Sequence, residues 1–152
     1  LRNVTLKEIM TPSSVMVTAD ENTSIDKFYK KNTELNFSRI PILNDSNIES
    51  YVLKDTILEH IINNKGKLKL SEIKRPIIIS QEYTKIPELF DELLKKREHI
   101  SLVVDQFNTT LGIVTLEDII ETILGYEIVD ETDMVDDMQL LAKKIKPKLN
   151  KT

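Results

Sequence analysis

The chain has 152 residues, a net charge of −4, 30% charged side chains and no cysteine. That length suits one ordinary domain or two small ones sharing a core, without disulfides or thiolate metal sites to staple it, and the missing cysteine fits a reducing compartment. The acidic balance argues against a general nucleic-acid binder, and three glycines are too few for a phosphate-cradling glycine loop.

Leu6-Lys7-Glu8-Ile9-Met10-Thr11-Pro12 predicts a short amphipathic turn ended by proline, which disfavours helix in the residue before it. Leu70-Ser71-Glu72-Ile73-Lys74-Arg75-Pro76 repeats it 64 residues later (70 − 6). An extended piece follows each, Val15–Thr18 and Ile77–Ser80. A helix comes next in both: one capped by Thr23 with Ile25, Phe28, Tyr29 and Leu35 on its buried face, one capped by Thr84 with Ile86, Leu89, Phe90, Leu93 and Leu94. Two strands follow. Arg39–Leu43 corresponds to His99–Val103, and the return strands are Ile48–Val52 and Leu111–Val114. The helices Lys54–Asn63 and Leu116–Leu124 close the two halves, with Gly125 expected as a left-handed stop and Asn63-Asn64-Lys65-Gly66 as the hinge.

The order strand, helix, strand, strand, helix thus occurs twice, with a period of about 60 residues, which is a tandem pair and not a solenoid. A unit that small is marginal alone. The expected fold is therefore α+β, with two repeats packed through their sheets: residues 1–64, then 65–126. Residues 127–152 form an acidic linker, rich in Asp and Glu from Glu127 to Asp137, with a short helix expected from Met138 to Ile145. No apolar run reaches the length of a membrane span and no secretory leader is recognised. Starting at Leu1, the sequence reads as a piece of something longer.

The chemistry concentrates in Leu111-Gly112-Ile113-Val114-Thr115-Leu116-Glu117-Asp118, an apolar strand running into a helix. A helix start offers free N–H groups to an anion, a hydroxyl there can meet a phosphate, and a carboxylate can take two ribose hydroxyls. Thr-x-x-Asp is equally a capping box. In the first repeat Val52-Leu53-Lys54-Asp55 is set opposite Thr115-Leu116-Glu117-Asp118, with Glu49 at the glycine position; a shift of one residue would put Ser50 there instead. A pocket built on Asp55 is expected to be empty or weak. His60 and His99 lie in different elements, and no metal set or catalytic triad stands out, so the chain is not read as an enzyme.

Three stretches resemble the CBS-domain pair, or Bateman module, of the CNNM/CorC (HlyC-related) magnesium and cobalt transporter family. They are Glu8-Ile9-Met10-Thr11-Pro12, Phe37-Ser38-Arg39-Ile40-Pro41-Ile42, and Leu111 to Glu121 continuing to Asp133. The resemblance implies a regulatory module on the cytoplasmic side of the cell membrane, attached to a membrane domain of the same parent protein and paired as a homodimer. It implies an adenosine nucleotide (ATP, ADP or AMP, with or without magnesium) in the cleft between repeats. Carried over by position, Asp118 takes the ribose hydroxyls, Thr115 and Arg39 meet the phosphates, and Thr11, Phe37, Ser38 and Ile40 line the adenine side. The competing expectation is a structural dimerisation module whose pocket has decayed.

Overall fold

The computed structural model describes residues 4–130, and the side chains of residues 4–125. The elements in chain order are α1 (Leu6–Ile9), β1 (Thr11–Pro12), β2 (Ala19–Asp20), α2 (Ile25–Lys31), β3 (Arg39–Asn44), β4 (Asn47–Leu53) and α3 (Lys54–Ile62). The second half supplies β5 (Arg75–Pro76), β6 (Ile78–Gln81), α4 (Ile86–Lys96), β7 (Ile100–Val104), β8 (Thr110–Thr115) and α5 (Leu116–Asp130). They form two four-stranded sheets, ordered β1-β8-β7-β6 and β2-β3-β4-β5.

Each repeat lends its opening to the other repeat's sheet. Thr11 and Pro12 pair antiparallel with Ile113 and Gly112 of the second repeat. Pro76 and Arg75 pair with Ser50 and Tyr51 of the first. The neighbouring contacts follow suit: Leu6 donates its amide to Thr84 O, and Leu70 donates its amide to Thr23 O. The proline in each opening explains why these strands are two residues long and lie at sheet edges, since proline has no N–H to give a central ladder.

Alternation along the strands sorts the apolar residues into three layers. Leu6, Ile86, Leu89, Leu93, Val103, Val114 and Ile119 fill the space between the first sheet and α1, α4 and α5. Ile25, Phe28, Ile40, Ile42, Val52 and Ile57 do the same beneath α2 and α3. Between the sheets lie Ile48, Tyr51, Ile77, Ile100, Leu102, Val104 and Ile113, flanked by Met16, Leu43 and Leu53. Full burial of an aliphatic side chain of this size is worth about 1.5–3 kcal/mol, so the middle layer is a principal bond between the repeats.

Five local expectations are corrected. Leu94, expected on the buried face of its helix, is 52% exposed, and Val15, expected to open an extended piece, ends the helical turn Ser13–Val15, with the strand following only at Ala19–Asp20. Ser24, not Thr23, caps α2: its hydroxyl accepts from the Lys27 amide, while the Thr23 carbonyl is engaged by Leu70. Lys85, not Thr84, holds the cap position of α4 and makes no side-chain cap bond, because an ammonium has no acceptor to offer; its extended backbone bridges Thr5. Gly125 does not stop α5, which runs on to Asp130. A glycine inside a helix costs only about 1 kcal/mol, and the Tyr-Glu-Ile-Val sequence that follows holds no breaker. The helix expected over Met138–Ile145 and the side chains of the acidic run lie outside the described residues.

Candidate functional site: the strand ends between the repeats

The end of β8 and the start of α5 make a closed reciprocal cap. The Asp118 amide donates to Thr115 Oγ1 at 3.2 Å, and the Thr115 amide donates to Asp118 Oδ2 at 3.3 Å. Both side chains are half-buried. The capping box is therefore realised, and it holds a hydroxyl and a carboxylate at the positive end of a helix dipole in fixed positions. Because side chains alternate, Thr115 lies on the same face of β8 as Ile113, the face turned to the opposite sheet.

Arg39 begins β3 directly opposite Leu53, whose side chain packs into the inter-sheet layer. It is half-buried, and its charge reaches the hydroxyl of Tyr51 on the same face of the sheet. Phe37 and Ser38 precede it, both exposed; Phe37 is not core, being 45% exposed and bordering a hollow of about 320 Å³ shared with Val17 and Leu35. Ser38 O accepts the Lys54 amide and so ties the start of β3 to α3. Thr11 faces Ile113 across β1 and β8. Ile40 points the other way. It is 1% exposed and buried beneath α2 and α3, so only its main chain is available to a crevice between the sheets.

Gly112 has a geometric reason. A Cβ built there would lie 2.2 Å from Thr11 O, a backbone atom that moves only with β1. The glycine lets the opening strand lie close across β8 and bring Thr11 alongside the Thr115 turn.

The observed registers correct the internal alignment by one residue. Lys54 donates to Ser38 O as Leu116 donates to His99 O, and Arg39 pairs with Leu53 as Ile100 pairs with Thr115. Leu53 is thus the counterpart of Thr115, Thr56 that of Asp118, Ser50 that of Gly112, and Ile100 that of Arg39. The earlier match of Val52 to Thr115 fails physically. Val52 is buried on the helix side, as Val114 is, whereas Thr115 is turned to the other sheet. Leu53 caps α3 with no side-chain bond, and Asp55, expected to mark the first-repeat motif, is simply exposed in the first helical turn.

A second hollow of about 520 Å³ lies at the opposite end of the same strands, between the β3–β4 and β7–β8 turns. It is lined by Ser46, Asn47, Glu49, Asn108 and neighbours, and by none of the seven sequence-predicted residues.

A family profile described as CBS domain matches residues 70–125. The magnesium and cobalt efflux protein CorC of Vibrio cholerae serotype O1 is 32% identical over 130 residues, covering 84% of this chain and 44% of that protein. A solved CBS domain of a bacterial CNNM/CorC family Mg2+ transporter superposes with a TM-score of 0.77 at 30% identity, covering 82% of this chain and 78% of that one. This chain is a CBS-domain pair of the CNNM/CorC family. Another solved CBS domain of such a transporter, in complex with ATP, matches with a TM-score of 0.76 at 29% identity, covering 82% of this chain and 89% of that chain. The CBS pair spans just under half the length of the curated relatives it matches.

Two features of the pair escaped sequence reasoning. One is the Tyr51–Glu98–Arg75 cluster: Tyr51 Oη donates to Glu98 Oε2 at 2.6 Å, and Arg75 Nη2 lies 3.5 Å from Glu98 Oε1. Burial, and then the bond to Glu98, push the Tyr51 hydroxyl above its ordinary pKa. The other is the contact of His99 with Glu117 at 3.7 Å beside the Thr115 turn. Nothing in the spacing signals either, because the partners lie on different repeats or across a hairpin. No helix among the described residues is long and apolar enough to cross a membrane.

Proposed function

We propose that the pair is the regulatory module of a CNNM/CorC-type divalent-cation transport protein, and that it binds an adenosine nucleotide in the crevice between repeats. The observation that carries this is the asymmetric motif: Thr115 and Asp118 are locked at a helix start on the inter-sheet side, whereas Leu53 and Thr56 stand in their place in the first repeat. In this reading Asp118 accepts from the ribose hydroxyls with the carboxylate oxygen that the cap leaves over. Thr115 and the α5 N-terminus meet phosphate, and Arg39 supplies a planar, permanently charged fork to the same phosphates. Thr11, Phe37, Ser38 and the main chain of Ile40 border the base. The ATP complex of a family member at 29% identity supports the ligand class.

The described residues hold no cluster of three metal-ligating side chains. Magnesium would therefore come with the nucleotide phosphates and neutralise them in an acidic protein. The parent protein would carry a membrane domain with this module on its cytoplasmic side, and the pair would work as a homodimer. Leu94, Ile120 and Leu124, between 41% and 58% exposed on α4 and α5, offer an apolar surface for that contact.

Calorimetric titration with Mg·ATP, ADP and AMP tests the reading. Asp118→Asn keeps an oxygen for the Thr115 amide but removes the charge, and Arg39→Met removes the fork. Each should weaken binding tenfold or more. Unchanged heats in both variants would remove the crevice from consideration. A tight dimer by sedimentation, with no heat from any adenine nucleotide, would favour the dimerisation module.

A further inference from the structure

The crevice has a counterpart on the other side of the pair, and its contents follow from the registers. Arg75 pairs with Tyr51 as Thr11 pairs with Ile113. Glu98 precedes His99 as Phe37 precedes Ser38, the two residues whose carbonyls take the first amides of α5 and α3. The positions that hold Thr11, Ile113 and Phe37 on one side therefore hold Arg75, Tyr51 and Glu98 on the other. On the first side stand a small side chain, an aliphatic one and an exposed ring, with no hydrogen bond among them. The second trio satisfies itself: the tyrosine hydroxyl donates to one carboxylate oxygen at 2.6 Å, the guanidinium lies 3.5 Å from the other, and the guanidinium carbon sits 6.0 Å from the tyrosine ring centre. Tyr51 is 2% exposed.

We infer that the Tyr51–Glu98–Arg75 cluster is an internal plug that fills the counterpart crevice and clamps the two repeats together on that side. Tyr51 sits on a strand of the first repeat and Glu98 on the α4–β7 connection of the second, so their hydrogen bond crosses between repeats. The bond is short and charge-assisted, and a buried hydroxyl left without it would have no water to turn to. The Thr11–Phe37 side has no such link among the described side chains. Relative motion of the repeats is accordingly one-sided: the plugged edge is the hinge and the Thr115 edge opens.

The absence of cysteine makes this measurable by paired spin labels in the intact chain. Glu34, in the turn after α2, and Glu117 flank the open side, and Lys95, in the last turn of α4, and Asp55 flank the plugged side; all four are exposed. Without any nucleotide, electron–electron resonance distances should be narrowly distributed for the 55/95 pair and clearly broader for the 34/117 pair. Tyr51→Phe, which keeps the ring, and Glu98→Gln, which keeps the volume, should each broaden the 55/95 distribution toward that of the other pair and leave 34/117 unchanged. Equal widths in the unsubstituted protein, or a 55/95 distribution indifferent to both substitutions, would overturn the clamp. Circular dichroism of each variant separates a released clamp from a lost fold. The clamp does not depend on nucleotide. If Mg·ATP then fails to narrow the 34/117 distribution while the plug results hold, the nucleotide reading fails alone.

Discussion

The two edges of this CBS pair have almost the same backbone and opposite chemistry. At both, a two-residue opening strand crosses the end of a hairpin, and a carbonyl before the neighbouring strand takes the first amide of a helix. At one edge stand Gly112, Thr115 and Asp118, with hydrogen-bonding capacity left over after the cap closes. At the other stand Ser50, Leu53 and Thr56, and the polar groups present, Tyr51, Glu98 and Arg75, are spent on one another. The difference teaches that a repeated fold fixes where a site lies, while side-chain satisfaction decides whether anything is left to bind a ligand.

The sharpest break of this comparison is at the glycine. Gly112→Ala sets a Cβ 2.2 Å from Thr11 O and 3.0 Å from its carbonyl carbon, so β1 must shift. Overpacking of this kind costs about 1–3 kcal/mol. Denaturant unfolding should show that loss, together with weakened nucleotide binding because Thr11 moves. Ser50→Ala, at the matching position of the plugged edge, adds no atom and should cost clearly less than Gly112→Ala. Equal effects at the two positions would mean that the opening strands do not differ in their approach.

Next comes the cap. Thr115→Ala removes the hydroxyl that accepts the Asp118 amide and should cost about 0.5–2 kcal/mol. Thr56→Ala, at the counterpart of Asp118, removes a side chain from a helix start with no side-chain cap and should be nearly silent. Thermal unfolding of the two variants side by side checks the pair. A silent Thr115→Ala would show that the α5 start is held by the sheet alone.

The architecture was legible because hydrophobic alternation and proline punctuation survive in both halves: strand order, helix order and the tandem repeat all emerge from Leu6–Pro12, Leu70–Pro76 and the apolar strands. The one-residue error in the internal alignment was not visible. Val52 and Val114 look alike, but the spacing between repeats drifts: it is 64 at the openings (76 − 12), falls to 61 at β3 and β7 (100 − 39) because the first repeat has the extra turn Ser13–Val15 before its helix, and rises to 62 at the motif (115 − 53) because the β7–β8 turn is one residue longer. Face assignment needs register, and a slip of one residue inverts it. Ile40 read as a crevice residue for a different reason: the resemblance carried it over by position, which says nothing of its face, and its side chain is buried beneath the helices. The exchange of opening strands was equally hidden, since two-residue edge strands carry no periodicity. The Thr115–Asp118 cap was legible because Thr-x-x-Asp is itself a capping signature.

A smaller effect distinguishes the plugged edge by pH. Tyr51 is held above the ordinary phenol value of 10.0, by burial first and by Glu98 next, with Arg75 and Arg39 opposing. The folded state therefore prefers the neutral phenol. Its contribution to stability is complete below 10.0 and is lost as pH rises toward the higher folded value, because the unfolded chain ionises first. Tyr51→Phe should cost about 1 kcal/mol at neutral pH, and the gap to the unsubstituted protein should narrow above pH 10.0. Denaturant titrations at several alkaline pH values measure it. A gap that widens with pH would mean that the folded state favours the phenolate.

The smallest expected effect is at Arg75, and it sets the rank of the contacts within the plug. Its side chain is 51% exposed and its 3.5 Å approach to Glu98 is long for an ion pair, whereas the Glu98 side chain is only 18% exposed and faces the tyrosine hydroxyl at 2.6 Å. An exposed guanidinium in such a pair contributes about 0–1 kcal/mol and is screened by salt. Arg75→Gln should therefore shift stability by a few tenths of a kcal/mol at physiological ionic strength and by less at high salt. A loss as large as that of Tyr51→Phe, persisting in high salt, would make the guanidinium an equal member of the clamp. The hinge of the pair would then be an ion pair at its rim and not a hydrogen bond buried between its sheets.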